Sequence, residues 1–239
     1  KKLRETRALA GFTRLLPPDP DTASNRTQPL SLDRRIDWLP AMFVRGEGIF
    51  LELRPEVIDA WRTGSTCSQR VTRLSTNYND VRIIRGQKQR RVTPPFVLLH
   101  SLAHCLINQL SFDCGYGSAS LRERVYCSVD QQAERMQGVL IYTASGDSEG
   151  TMGGLVRQGE PNRLLRTLMT ALQKAQWCSS DPVCIEARSQ GTDNANLAAC
   201  HGCLLVSETS CEEGNRLLDR ALLVGTPEER GVGFFSGVL

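Results

Sequence analysis

The chain has 239 residues, of which 40% are apolar and 23% charged, and 29 Lys and Arg against 26 Asp and Glu leave a formal charge of +3. That composition belongs to a globular protein able to bury a core, and no apolar run approaches the length a membrane span requires. So small an excess of positive charge does not by itself specify a nucleic-acid partner; it permits one where basic residues cluster.

The chain opens on Lys1-Lys2 rather than Met, which reads as a piece of something longer. In KKLRETRALAGFTRLL the alternation of GFTRLL suits a short strand after a turn at Gly11. PPDPDTASNRTQPLSLDRR is an exposed loop by its Pro, Asp, Ser and Asn content. WLPAMFVRGEGIFLEL holds two apolar runs around Gly46-Glu47-Gly48, which predicts a hairpin with Glu47 as a solvated turn residue. PEVIDAW starts a helix, with Pro55 in the first turn and Val57, Ile58 and Trp61 on one face. Thr63 to Arg91 is polar and without a clear period. It ends in RIIRGQKQRRV, where Arg85, Lys88, Arg90 and Arg91 are the best candidates for phosphate contact, the alternative being solvated surface.

Pro94-Pro95 introduces FVLLHSLAHCLINQLS, apolar on nearly all sides and so a helix central to the core. His100 and His104 share a face at the spacing of paired metal ligands, but Ser101 stands where a zinc protease places its acid. Buried histidines hydrogen-bonded to backbone are the preferred account. In DCGYGSASLRERVY a cap at Ser118 or Ser120 predicts a short helix containing Leu121 and Val125. GVLIYTA reads as a buried strand, followed by the glycine-rich SGDSEGTMGGLVRQG with Asp147 and Glu149. That loop has no phosphate-binding lysine motif and reads as a tight structural loop. Pro161 to Trp177 is an amphipathic helix carrying Leu164, Leu165, Leu168, Met169 and Leu172, and NRLLDRALLVG a short helix or strand.

Between these two lies the most informative stretch, WCSSDPVC followed by AACHGCLLVSETSC. A C-x-x-C turn directs two thiolates at one ion, and tetrahedral zinc needs two more soft ligands. Disulfides would require an oxidising compartment, and the chain shows no secretory feature, so a cytoplasmic chain is expected. A thioredoxin-like redox pair would open a helix after a strand without other cysteines crowding it. The ligands expected are Cys184, Cys200, Cys203 and Cys211 around Zn, with Cys178 in reserve as core and His201 pointing away. The fold class expected is α+β: a sheet-rich N-terminal half, a central buried helix, a strand-loop-helix unit and a Cys-rich zinc-stapled end. The boundary falls near Thr93, separating a strand-rich 1–93 from 94–239. No catalytic residues are expected. His100, His104 and Cys105 are the nearest approach to a Cys–His pair, and adjacent residues on a helix diverge.

The run from LLHSLAHCLINQLSFDCGYGSASLRERVY through GVLIYTASGDSEGTMGGLVRQG to the cysteines and NRLLDR resembles the MrfA-type zinc-binding domain, found at the C-terminus of superfamily 2 DNA helicases. GFTRL, WLPAMFVRGEGIFLEL, DPVC and AACHGC are closer still to the DrmB family of the bacterial DISARM anti-phage system, and the resemblance covers about Leu3 to Leu223. It implies that 94–239 is an MrfA-like zinc-binding domain of a non-catalytic defence subunit, partnered by a DrmA-like helicase and by DNA, with no membrane role. The helicase members carry a tighter cysteine run, so the fourth ligand does not transfer from them. No Walker A lysine motif and no DExx box occurs here, so any ATPase activity belongs to another segment or to a partner. The other class of function is a stand-alone zinc- or cysteine-dependent enzyme, whose metal would keep one coordination position open.

Overall fold

The computed structural model describes residues 2–12, 28, 30, 37–117, 119–128, 135–143 and 154–239. Four strands, β1 (Lys2–Ala8), β2 (Ala41–Glu52), β3 (Leu121–Cys127) and β4 (Gln137–Thr143), form an antiparallel sheet in the order β1-β2-β4-β3. The chain is thus the mixture of helix and antiparallel sheet expected, with its cysteine cluster near the C-terminal end.

The hairpin predicted at Gly46-Glu47-Gly48 does not form. β2 runs straight through it, pairing its first half with β1 (Leu3↔Gly46, Ala8↔Ala41) and its second with β4 (Gly48↔Tyr142, Glu52↔Gly138). The glycines serve close approach instead of turning: a Cβ on Gly46 would lie 2.6 Å from the Thr143 carbonyl oxygen, and one on Gly48 2.7 Å from Leu3 Cδ1. Glu47 is accordingly buried and not solvated. Its carboxylate accepts hydrogen bonds from the Tyr116 hydroxyl (2.9 Å) and from the backbone N–H groups of Leu155 and Val156 (3.1 Å each).

The helix predicted around Leu121 is also corrected, since those residues form β3. LRERVY alternates in a strand's period of two, with Leu121 and Glu123 buried and Arg124 exposed. A charged residue on the inward face concealed that pattern. β4 falls where GVLIYTA places it. Ser118, Thr13–Leu16 of the predicted first strand, and Asp147 and Glu149 of the glycine-rich loop lie outside the described residues.

Helix α1 (Pro55–Gly64) begins on its proline, buries Ile58 and anchors Trp61, whose indole N–H donates to the Val232 carbonyl at 2.9 Å. Helix α2 (Cys67–Ile84) is where the sequence showed no period. Its buried face is a narrow stripe of Cys67, Val71, Leu74, Tyr78 and Arg82, spaced three or four apart but closed by a cation. Helix α3 (Pro94–Cys114) is capped by Thr93, whose hydroxyl accepts from Phe96 N–H at 3.4 Å, and ends at left-handed Gly115. Buried residues cover most of its circumference. Leu98, Leu102, Leu106 and Leu110 pack with Ile49, Leu121, Val139 and Ile141 of the sheet, and with Leu155 of α4 (Gly154–Gln158) and Leu172 of α5 (Pro161–Ala175). Val97 joins the α2 stripe, together with Leu197, Leu217 and Leu222.

From Gln176 onward the backbone is mostly turns, apart from α6 (Ala221–Val224). Side chains hold it where secondary structure does not. Asn196 donates to the Asn215 carbonyl (2.7 Å) and accepts from Leu218 N–H (3.0 Å). The fully buried Asp219 takes a two-pronged ion pair from Arg70 (2.7 and 3.0 Å), and its carboxylate accepts from Ala198 and Ala221 N–H. No described helix is long and apolar enough to cross a membrane.

Candidate metal centre

Cys178 lies just beyond the end of α5, Cys184 in the following turn, and Cys200 and Cys203 at either end of a tight turn. Their sulfurs converge: Cys178 to Cys200 is 3.5 Å, Cys184 to Cys203 3.8 Å, and Cys200 to Cys203 3.8 Å. Zinc–thiolate bonds of about 2.3 Å arranged as a tetrahedron give sulfur–sulfur edges of about 3.8 Å. The separations are far too long for disulfide bonds at about 2.05 Å, and all nine cysteines are free thiols. The residues present therefore fit a four-coordinate zinc ion.

The local structure explains the convergence. Asp181 accepts from Cys178 N–H (2.8 Å) and Ile185 N–H (3.1 Å), closing the turn between the first two sulfurs. The fully buried Arg220 guanidinium bonds to the same carboxylate and to the Ala175 carbonyl at 2.8 Å, which fixes the turn to the end of α5. Gly202 leaves room in the turn between the last two cysteines, since a Cβ there would lie 3.1 Å from Ser179 Oγ and 3.4 Å from Cys178 Sγ. Amide groups point at the sulfurs, Ser180 N–H to Cys178 at 3.4 Å and Cys200 N–H to Cys203 at 3.2 Å. A hydrogen bond from the Cys203 thiol outweighs burial and brings the Cys184 thiol down to about 5, while the same contact holds Cys203 up. His201, between the last two cysteines, is exposed.

Three of the four ligands expected from sequence are thus brought together, but Cys211 is not the fourth. Cys178, held in reserve as a core residue, completes the group, and Cys211 belongs to a separate cluster with His100, His104 and Glu123. The reason is topological. Cys211 follows the 3₁₀ turn Glu208–Ser210, where Glu212 N–H meets the Glu123 carboxylate at 3.4 Å, which draws this turn toward β3 and away from Cys200. The two histidines do bond to backbone as expected, His100 Nδ1 to the Leu217 carbonyl (3.2 Å) and His104 Nδ1 to that of Leu204 (2.9 Å). The acid missing beside them in sequence arrives from β3.

The basic run has a different character from the one its sequence suggests. Arg85 forms two hydrogen bonds to Asp193 (2.9 and 2.6 Å), which Arg216 also reaches at 3.2 Å. Arg90 pairs with Glu213 at 2.6 Å and lies over the Phe96 ring. Lys88 and Arg91 are exposed. Half of the run therefore ties the end of α2 to the C-terminal segment. Sequence reading missed Asp181, Asp219 and Arg220 as organisers. Their one visible signal was an acid and a base inside otherwise apolar or cysteine-rich stretches, DPVC and NRLLDR.

Residues 102–204 match the family described as the MrfA Zn-binding domain. The chain carries an MrfA Zn-binding domain. The matched span contains Cys178, Cys184, Cys200 and Cys203 and ends before Cys211, in accord with the sulfur geometry. The chain is also 40% identical over 241 residues to the DISARM protein DrmB of Bacillus paralicheniformis, an alignment covering 100% of this chain and 42% of that protein. It thus spans about two fifths of the relative's length. The MrfA Zn-binding domain includes β3, β4 and α5 and most of α3, so its cysteine knot is packed against the principal core.

Proposed function

We propose that this chain is a non-catalytic, zinc-stapled part of a subunit of a bacterial anti-phage defence complex of the DISARM kind, acting in the cytoplasm beside a helicase subunit and helping to hold DNA. The observation that carries the reading is the closed group of four sulfurs. Four protein ligands fill every position of tetrahedral zinc, as in structural sites, and leave none for water or substrate. Such an ion supplies folding free energy to a segment of turns with little apolar surface of its own. The similarity to a DISARM DrmB supports the defence role, and the free thiols suit a reducing compartment.

Within the basic run, exposed Lys88 and Arg91 are the residues most available to phosphate, since Arg85 and Arg90 hold carboxylates. The test is co-purification of the full-length subunit with the products of its neighbouring genes, a helicase partner being the expected outcome, followed by DNA binding at several salt concentrations. Replacing Lys88 and Arg91 by Gln should flatten the salt dependence by roughly one counterion per lost contact, about equally for all sequences. An unchanged slope with helicase retained removes these residues from DNA. Loss of the helicase instead makes them its docking site. A hydrolytic activity abolished by zinc removal from a folded protein would favour the zinc-enzyme reading.

A further inference from the structure

Helix α3, strand β3 and the turn at residue 211 carry His100, His104, Glu123 and Cys211 into one enclosed pocket. The two histidines are 0% exposed, Glu123 1% and Cys211 8%, and their ligand atoms all lie within 4.8 Å of one another. His100 Nε2 is 2.9 Å from Glu123 Oε1 and 3.3 Å from Cys211 Sγ, and His104 Nε2 is 3.4 Å from the same carboxylate oxygen. A tetrahedral zinc ion with bonds of about 2.0–2.3 Å to nitrogen, oxygen and sulfur has ligand–ligand edges of about 3.3–3.6 Å.

The tautomers follow from the backbone. A carbonyl oxygen only accepts, so both Nδ1 atoms, bonded to the Leu217 and Leu204 carbonyls, must carry hydrogen. In neutral imidazoles both Nε2 lone pairs then face the Glu123 carboxylate, and that of His100 the Cys211 sulfur as well. His104 Nε2 and Glu123 Oε2 are buried without a hydrogen-bond partner among the described residues. Cys211 Sγ instead receives two backbone N–H groups, from Glu213 (3.3 Å) and Asn215 (3.2 Å), an environment that favours thiolate. Leu217 sits at φ 63°, strained for a bulky residue, in the turn that sets its carbonyl against His100.

We propose that His100 Nε2, His104 Nε2, a Glu123 carboxylate oxygen and Cys211 Sγ form a second structural metal site, for a divalent ion of the zinc class. Two positive charges balance one carboxylate and one thiolate. One divalent cation supplies that charge and uses all four lone pairs at once. Imidazole and thiolate donors select zinc-like ions over calcium or magnesium, which take oxygen ligands. Each Nδ1–H held by a carbonyl is the outer support that metal-bound histidines show. The ion joins α3, β3 and the C-terminal segment, three parts distant in sequence.

The full chain, equilibrated with excess Zn²⁺ and desalted, should hold about two zinc ions by elemental analysis. X-ray absorption at the zinc edge should show imidazole scattering beside sulfur. His104→Gln should leave one zinc with a sulfur-only shell, and Cys178→Ser with Cys200→Ser one zinc with imidazole. A sulfur-only shell in the unmodified chain overturns the proposal, and that spectrum needs no variant to fold. An imidazole-containing shell without the four-sulfur component would instead sink the four-cysteine reading and leave this one standing.

Discussion

The two clusters have different origins. The four-cysteine group is built within the Cys178–Cys203 segment, from short turns closed by Asp181 and Gly202, and two of its thiols are only partly buried. The histidine–glutamate–cysteine group is assembled from positions 100, 104, 123 and 211 and is almost wholly removed from solvent. The first is closed by short turns in a segment that also packs Leu197 and Ala199 into the two main clusters, and the second is placed by a core that helix packing already supplies. Ligands close in sequence imply that folding depends on the ion, whereas ligands delivered by a core imply that the core is the larger contributor.

The strongest way to break this contrast is at Cys203. Cys203→Ser, and equally Cys178→Ser, should remove the four-sulfur zinc and with it several kcal/mol of stability, because metal binding there is folding free energy. Elemental analysis with thermal unfolding checks this: cooperative melting and full sulfur-bound zinc in either variant would end the assignment. Cys211→Ser should keep the four-sulfur zinc, reversing what the sequence implied.

A smaller effect is expected at the buried Asp219. Asp219→Ala removes the partner of Arg70 and the acceptor for Ala198 and Ala221 N–H groups. Breaking a buried pair of this kind costs about 3–5 kcal/mol, to be read from the midpoint of urea unfolding. A loss below about 1 kcal/mol would show that this ion pair does not hold the C-terminal turns.

Two buried carboxylates sharpen the contrast further. Glu47 is satisfied by the Tyr116 hydroxyl and two amides, whereas Glu123 faces imidazole nitrogens. Glu47→Gln should cost about 1–3 kcal/mol, since its new NH₂ would confront donors, and should leave metal content unchanged. Altered zinc content in Glu47→Gln would show that β2 and the metal sites are coupled.

The smallest effect lies at the surface. Arg85→Ala should cost no more than about 1 kcal/mol. Burial pushes the Asp193 carboxyl up, but hydrogen bonds from Arg85 and Arg216 outweigh it and hold it below the usual carboxylate range. A depressed folded-state value means that the pair stabilises above the unfolded pKa of about 3.9 and loses its contribution as pH falls through the folded value. The difference between wild type and Arg85→Ala should therefore vanish in strong acid. A difference that persists there would assign the effect to packing.

Much of the metal centre is legible in the sequence. Cys184, Cys200 and Cys203 stand out as a group because a C-x-x-C turn with a further cysteine nearby is a recognisable ligand pattern. The fourth position is not legible. Cys178 and Cys211 are comparable candidates along the chain, and only the pairing of the Glu208–Ser210 turn with β3 sends Cys211 elsewhere. β3 itself is hidden by Glu123, a charge on an inward face, and α2 by the thinness of its apolar stripe.

What the sequence determined by itself were the features carried by local pattern: the greasy α3, the amphipathic α5, the buried strand β4 and the grouping of Cys184, Cys200 and Cys203. Period and short-range turn geometry suffice for these. What tertiary structure alone decided were features in which distant residues satisfy one another. β2 passes through Gly46 and Gly48 because β1 and β4 flank it, Glu47 is buried because Tyr116 and α4 supply donors, and His100 and His104 meet an acid because β3 brings Glu123. A buried polar group is stable only where its partners are, and no one-dimensional pattern states where those partners will fall.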